Sequence, residues 1–157
     1  MPDHEKPRFE GYDVAVADAM IEASKVIGGL PKYLGITLDA FEPGRLVASM
    51  DAREELVTVM GAVHGGVMAG FVDHVMGCVL YPLMRRGQWA ATTEFKLNYL
   101  AAVKKGRLIG ESTVLSLGRR SAVVRVDVTN EGRLVCTAQG TLIISDPPGK
   151  KEESRGA

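Results

Sequence analysis

His64-Gly65-Gly66 opens an apolar stretch with helical spacing, and Asp73 lies inside that stretch. These residue types point to carbonyl chemistry. The start of a helix leaves about four backbone N–H groups without intrahelical partners and carries a positive partial charge. Glycine there lets a ligand come close to the backbone. Such a place can hold the oxyanion that forms when a carbonyl is attacked. It can equally be an ordinary flexible cap. Asp73 is a carboxylate among apolar residues, where ionised aspartate is rarely found without partners. A buried carboxylate is a candidate general base or nucleophile. It can also be structural, accepting hydrogen bonds from His74 or a neighbouring strand.

Asp73 follows His64 by nine residues. At about 100° per residue this is about 900°, half a turn off the starting face, with a rise of roughly 13 Å. One carbonyl cannot touch both places in one chain. If both act on one substrate, two chains share the site across a two-fold axis, one giving the helix start and the other Asp73. Gly66, Gly70 and Gly77 line the side that includes Asp73, which suits a close contact there. Each glycine costs a helix about 1 kcal/mol relative to alanine. His74 points about 100° away from Asp73 and reads as an interior or interface histidine. His64, Asp73 and His74 make no convincing metal set. No phosphate loop, dinucleotide loop or nucleophile elbow is present.

Other residues could assist. Thr92, Thr93 and Glu94 open a long strand pattern, and a threonine hydroxyl could orient the carboxylate or a water. Strict alternation puts Thr92 and Glu94 on one face and Thr93 on the other. Lys104, Lys105, Arg107, Arg119 and Arg120 cluster in turns, where they could meet phosphate or simply be solvated.

These residues need a scaffold. Residues 13–27 carry apolar side chains at spacings of three and four and read as a first helix ended by Gly28-Gly29, with Pro31 preventing an easy restart. Residues 33–41 and 45–51 read as a hairpin around Glu42-Pro43-Gly44. Residues 64–80 are apolar on most sides, as in a buried helix. From residue 88 the period changes to two, with strands at 89–100, 107–117, 122–129 and 134–145. Short turns between them predict an antiparallel meander. The order predicts an α+β fold in which an antiparallel sheet wraps around one long central helix, preceded by an N-terminal helix.

The chain has 157 residues, room for one domain over 13–146, with a flexible segment at 1–12 and a disordered tail at 147–157. Lys plus Arg equal Asp plus Glu at 19 each, which argues against a nucleic-acid partner. No apolar leader and no uninterrupted membrane-length stretch is read, so the expected place is the cytoplasm. Cys78 and Cys136 make no disulfide framework and read as buried thiols.

The run VHGGVMAGFVDHVMG resembles the signature helix of the phenylacetate-degradation type of hotdog acyl-coenzyme A thioesterases. Leu34-Gly35-Ile36 looks like that family's first strand. TTEFKLNYLAA, VLSLGRRSAVVRVDV and AQGTLII resemble its later strands. The resemblance covers roughly residues 30–144. It implies a hotdog fold, a homodimer as the minimal active unit and often a homotetramer, and thioester hydrolysis without a metal or cofactor. By position, Asp73 would be base or nucleophile, and the Gly65 N–H would polarise the carbonyl. His64 would shape the helix start, with Gly66 beside it, and Thr92 would help orient water. Gly118, Arg119, Arg120 and Ser121 match a turn near the nucleotide end of coenzyme A. Many relatives carry an asparagine in the loop before the histidine, where this chain has Thr58. Two other readings stand beside hydrolysis: an acyl-coenzyme A binding module without catalysis, and a hotdog dehydratase of hydroxyacyl thioesters.

Overall fold

The computed structural model describes residues 9–146. The expected loose ends fall mostly outside them, at 1–8 and 147–157. Within them, the ring of Phe9 covers the turn at Gly44, where a Cβ would stand 2.1 Å from the ring. Helix α1 spans Val14–Ser24, and Asp13 caps it by accepting from the N–H groups of Ala15 and Val16 at 2.9 and 3.2 Å.

The next segment departs from expectation. Residues 29–34 form a short helix, α2, Gly29–Leu34, ended by Gly35 in the left-handed conformation at φ 73°. Pro31 lies in the first turn, where its missing N–H costs no helical bond. The strand expected from residue 33 therefore begins later, as β1, Thr37–Glu42. Leu34-Gly35, read as strand by resemblance, is the end of α2. Strand β2, Arg45–Asp51, pairs antiparallel with β1 around Gly44 at φ 75°.

The central helix α3 spans Gly65–Cys78. Strands β3 (Trp89–Tyr99), β4 (Arg107–Leu117), β5 (Ser121–Asn130) and β6 (Arg133–Ser145) follow. The sheet order is β1-β2-β4-β5-β6-β3, and every pairing is antiparallel. Only β4-β5-β6 is a meander. β3 does not join β4 but crosses to the far edge beside β6. The seven residues between β3 and β4 are no tight turn. They pass the start of α3, where Val63 N–H donates to Val103 O at 2.7 Å.

The sheet curls around α3 because α3 is apolar on the side it buries. Phe71, Val72, Val75 and Met76 are fully buried against Leu46, Leu108, Val124, Val126 and Leu142. The helical run Gly65–Leu83 has the length and hydropathy of a membrane span, but its large side chains are spent on this core. Two strand glycines make room for them. A Cβ on Gly110 would stand 2.9 Å from the Phe71 ring, and one on Gly140 would stand 2.6 Å from Glu94 O. The second neighbour is backbone and cannot rotate away. Gly140→Ala is expected to destabilise the fold by about 1–3 kcal/mol, read as a lower urea midpoint at unchanged slope. An unchanged midpoint would show that β3 yields freely at this edge.

Candidate active site

The site is built where β3, the long crossing loop and α3 converge. His64 N–H donates to Leu56 O at 2.9 Å, which fixes where the helix starts. His64 caps α3: its Nδ1 accepts the Gly66 N–H at 2.8 Å. In the neutral ring this puts the proton on Nε2. The Val67 and Met68 N–H groups are bound by His64 O at 3.0 and 3.1 Å. Among the described residues nothing accepts from the Gly65 N–H. Of the first-turn amides it alone stays open, the property an oxyanion donor needs. Gly66 keeps a bare Cα surface but has committed its N–H to His64.

Tyr99, at the end of β3, donates its hydroxyl to Gly65 O at 2.8 Å. A Cβ on Gly65 would meet that hydroxyl at 3.1 Å and the ring at 3.2 Å, which explains the glycine. Beside it lies a cleft of about 420 Å³ lined by Gly65, Met68, Tyr99, Leu100 and Val103. Its lining side chains are apolar apart from the Tyr99 hydroxyl, with backbone polar groups between them, so the cleft suits an uncharged organic chain that carries amide or carbonyl groups.

Asp73 is not buried in the single chain. It is exposed on the outward side of α3, as Gly66 is, and accepts no hydrogen bond from the described residues. The expectation of a buried carboxylate came from composition; the apolar residues around it in sequence point the other way on the helix. Gly70 is explained by α2, since a Cβ there would meet Leu34 Cδ1 at 3.4 Å. No described atom lies within 4 Å of a Cβ placed on Gly77.

Burial pulls the pKa of His74 below its usual 6.5, against the opposing charge of Asp73. The folded chain thus binds this proton less readily than the unfolded chain. Its contribution is complete above pH 6.5 and is lost as pH falls through the lowered value. Denaturant midpoints are expected to drop from pH 8 to pH 5, and to drop less in His74→Gln. Equal drops in both proteins would remove His74 from the account. Burial also pushes the thiols of Cys78 and Cys136 up to about 12 and about 11, which leaves both unreactive. Among the described residues no His, Cys, Asp or Glu cluster could hold a metal.

Thr92 lies on the helix-facing side of β3, paired with the core residue Leu142. A bulge at Thr93 breaks the alternation, so Glu94 pairs with Thr141 on the opposite face and not on the face of Thr92. The Thr93 hydroxyl donates to Thr141 O at 2.9 Å and holds the bulge. Thr58 belongs to the loop before the helix. Its hydroxyl accepts the Met60 N–H at 3.3 Å, so it shapes that loop.

Gly118, Arg119, Arg120 and Ser121 form the β4–β5 turn, closed by Gly118 N–H to Ser121 O at 2.8 Å. They stand at the opposite end of α3 from Gly65. Gly118 and Arg119 share a cleft of about 170 Å³ with Leu83, Arg85 and Gln88. Within one chain the structure thus gathers His64, Gly65 and Gly66, and separates them from Asp73, Thr92 and the arginine turn. Sequence reasoning missed two members. Nothing in the residue spacing points Tyr99 at Gly65 or Arg85 at the cleft of the arginine turn. No local signal marks Tyr99; only the edge position of β3 brings it to the helix start.

An antiparallel sheet wrapped around one helix whose first turn keeps an open amide defines a hotdog-fold protein. The family model of the thioesterase superfamily matches residues 60–137. The proofreading thioesterase EntH of Klebsiella pneumoniae is 30% identical over 114 residues, covering 71% of this chain and 83% of its own. Human acyl-coenzyme A thioesterase 13 is 29% identical over 123 residues, covering 77% and 87%. A thioesterase of Haemophilus influenzae superposes with a TM-score of 0.76 at 21% identity, over 83% and 90% of the two chains. This chain belongs to the thioesterase superfamily and is a thioester hydrolase. These relatives favour neither the non-catalytic binding module nor the dehydratase.

Proposed function

We propose that the protein hydrolyses acyl-coenzyme A thioesters to the free acid and coenzyme A, at sites shared between two copies of the chain. The open Gly65 N–H beside an apolar cleft carries the reading. The thioester oxygen would accept from that amide while the acyl or pantetheine chain lies along Met68, Tyr99 and Leu100. Asp73 takes a proton from water, or attacks the carbonyl itself. Charge developing on the oxygen is stabilised at the helix start. Collapse of the tetrahedral adduct breaks the C–S bond. With Asp73 as base, the proton it took from water goes to the leaving thiolate. With Asp73 as nucleophile, an acyl–aspartyl anhydride forms and a water cleaves it, giving the acid, restoring the carboxylate and supplying the thiol's proton.

Sharing between chains is supported by the open edge. β3 is 11 residues long and, among the described residues, pairs only with β6. Edges of this length are normally blunted or covered. Two β3 edges paired antiparallel about a two-fold axis place the Tyr99 end of one beside the Trp89 end of the other. Because α3 starts at the Tyr99 end, Gly65 of one chain then faces the later turns of the other chain's α3. Asp73, Thr92 and the Gly118–Ser121 turn of that second chain come toward the same substrate, with Arg119 and Arg120 available to phosphate. The active species is expected to run as a dimer or larger in solution.

Free-thiol release with phenylacetyl-, hydroxybenzoyl- and hexanoyl-coenzyme A tests the reaction and begins to name the acyl group. Release from at least one by the assembled protein is the expected result. No release from any of the three would overturn the proposal as framed.

A further inference from the structure

The open amide of Gly65 is useful only if it points one way. Glycine at the first helical position is the residue least able to hold its own direction. Three groups around it are fixed within the helix start: His64 N–H is held by Leu56 O, His64 O by the Val67 and Met68 N–H groups, and Gly66 N–H by the His64 ring. The Gly65 carbonyl, which sets the other side of this glycine, is reached from outside the helix. Tyr99 donates to it at 2.8 Å from the last residue of β3.

Tyr99 is 58% exposed, so the core does not need it. Its backbone is set by the pairing of Tyr99 with Cys136, a buried residue of β6. The phenol therefore ties a flexible glycine to the rigid edge of the sheet. A carbonyl oxygen has two lone pairs, so this bond can coexist with the helical one. The same ring lines the cleft beside Gly65.

From this geometry we infer that Tyr99 is a positioning residue for thioester hydrolysis: its hydroxyl holds Gly65 so that the amide stays aimed at the thioester oxygen. This role rests on the reaction proposed above. It assigns the hydroxyl no proton transfer, and acts on the oxyanion donor without touching the reacting atoms.

Tyr99→Phe removes the hydroxyl and keeps the ring over Gly65. Its kcat is expected to fall about tenfold, a fraction of the effect of losing an oxyanion donor, with KM within about twofold. The thermal midpoint is expected to stay near wild type because the ring is kept and the residue lies outside the core of the single chain. Amide hydrogen exchange across residues 64–69 is expected to quicken. A purely structural tyrosine would lower the midpoint and spare kcat, which overturns the inference. An active wild type with unaltered Tyr99→Phe kinetics would sink this role alone. A wild type inactive on every thioester would sink this role together with the reaction beneath it.

Discussion

Asp73→Asn is expected to lower kcat for thioester hydrolysis by about 10²–10⁴-fold, the range that a positioned general base contributes, while acyl-coenzyme A binding survives. The reason lies in where the side chain sits. Asp73 is on the outward stripe of α3 and takes no part in the core, so asparagine replaces it without a buried cost. What disappears is the ability to take a proton from water or to attack the carbonyl. Binding by calorimetry beside thiol release separates the two effects. Loss of both binding and hydrolysis would show that the aspartate is structural. Near-wild-type turnover would remove Asp73 from the chemistry. A single turnover in oxygen-18 water divides the two active routes. A base leaves the first acid product labelled from water and Asp73 unlabelled, whereas a nucleophile whose anhydride is opened at the aspartyl carbonyl gives unlabelled acid and a labelled Asp73.

The second large effect concerns the open amide and the second chain together. Gly65 is the first residue of α3, and His64 before it is extended, with φ −63° and ψ 136°. Proline is tolerated at that helical position, and the residue before a proline favours that extended region. Gly65→Pro therefore deletes one N–H and little else of the backbone. Gly65→Ala serves as the control, since it keeps the N–H and adds the same Cβ against Tyr99. The proline variant is expected to fall about 10²–10³-fold below the alanine variant in kcat.

Mixing then tests the sharing. Neither Gly65→Pro nor Asp73→Asn homodimers can assemble a complete site. A heterodimer of the two has one site with both groups intact and one with both lost. Random assembly makes half the dimers hetero, so about a quarter of wild-type activity is expected to return in a co-expressed or co-refolded mixture. If each site is built from a single chain, every site carries a defect and no activity returns.

Much of this was legible in the chain before folding. The helical period of residues 64–80, the alternation after residue 88 and the Pro-Gly turn each reflect local physics. An apolar stripe must be buried, alternate strand residues must face opposite ways, and a turn needs residues that accept its dihedrals. Those rules placed α3 and β2 to β6 within a residue or two. They failed at Tyr33 and Leu34, whose apolar character suits a strand and a short helix alike, and tertiary packing of Leu34 on Gly70 decided for the helix. They failed again at Thr93, where a bulge turned Glu94 to the other face.

The candidate site divides along the same line. His64, Gly65, Gly66 and Asp73 are neighbours on one helix, so their types and the rise between them were readable, and with them the condition that a substrate touching both ends would take a second chain. The outward direction of Asp73 was not readable, because composition tells how apolar a helix is but not which side a neighbouring sheet will cover. Nor was the Tyr99 hydroxyl at Gly65, 34 residues away in sequence. That contact exists because β3 crosses to the edge beside β6, and strand order is set by which pairings let the whole sheet close around α3. The sequence by itself determined α3, strands β2 to β6, the helix start and the aspartate. Tertiary structure alone decided which amide stays open, that Tyr99 reaches the same glycine, and that β3 forms an edge of the sheet, since contacts between distant segments arise only once the sheet has closed.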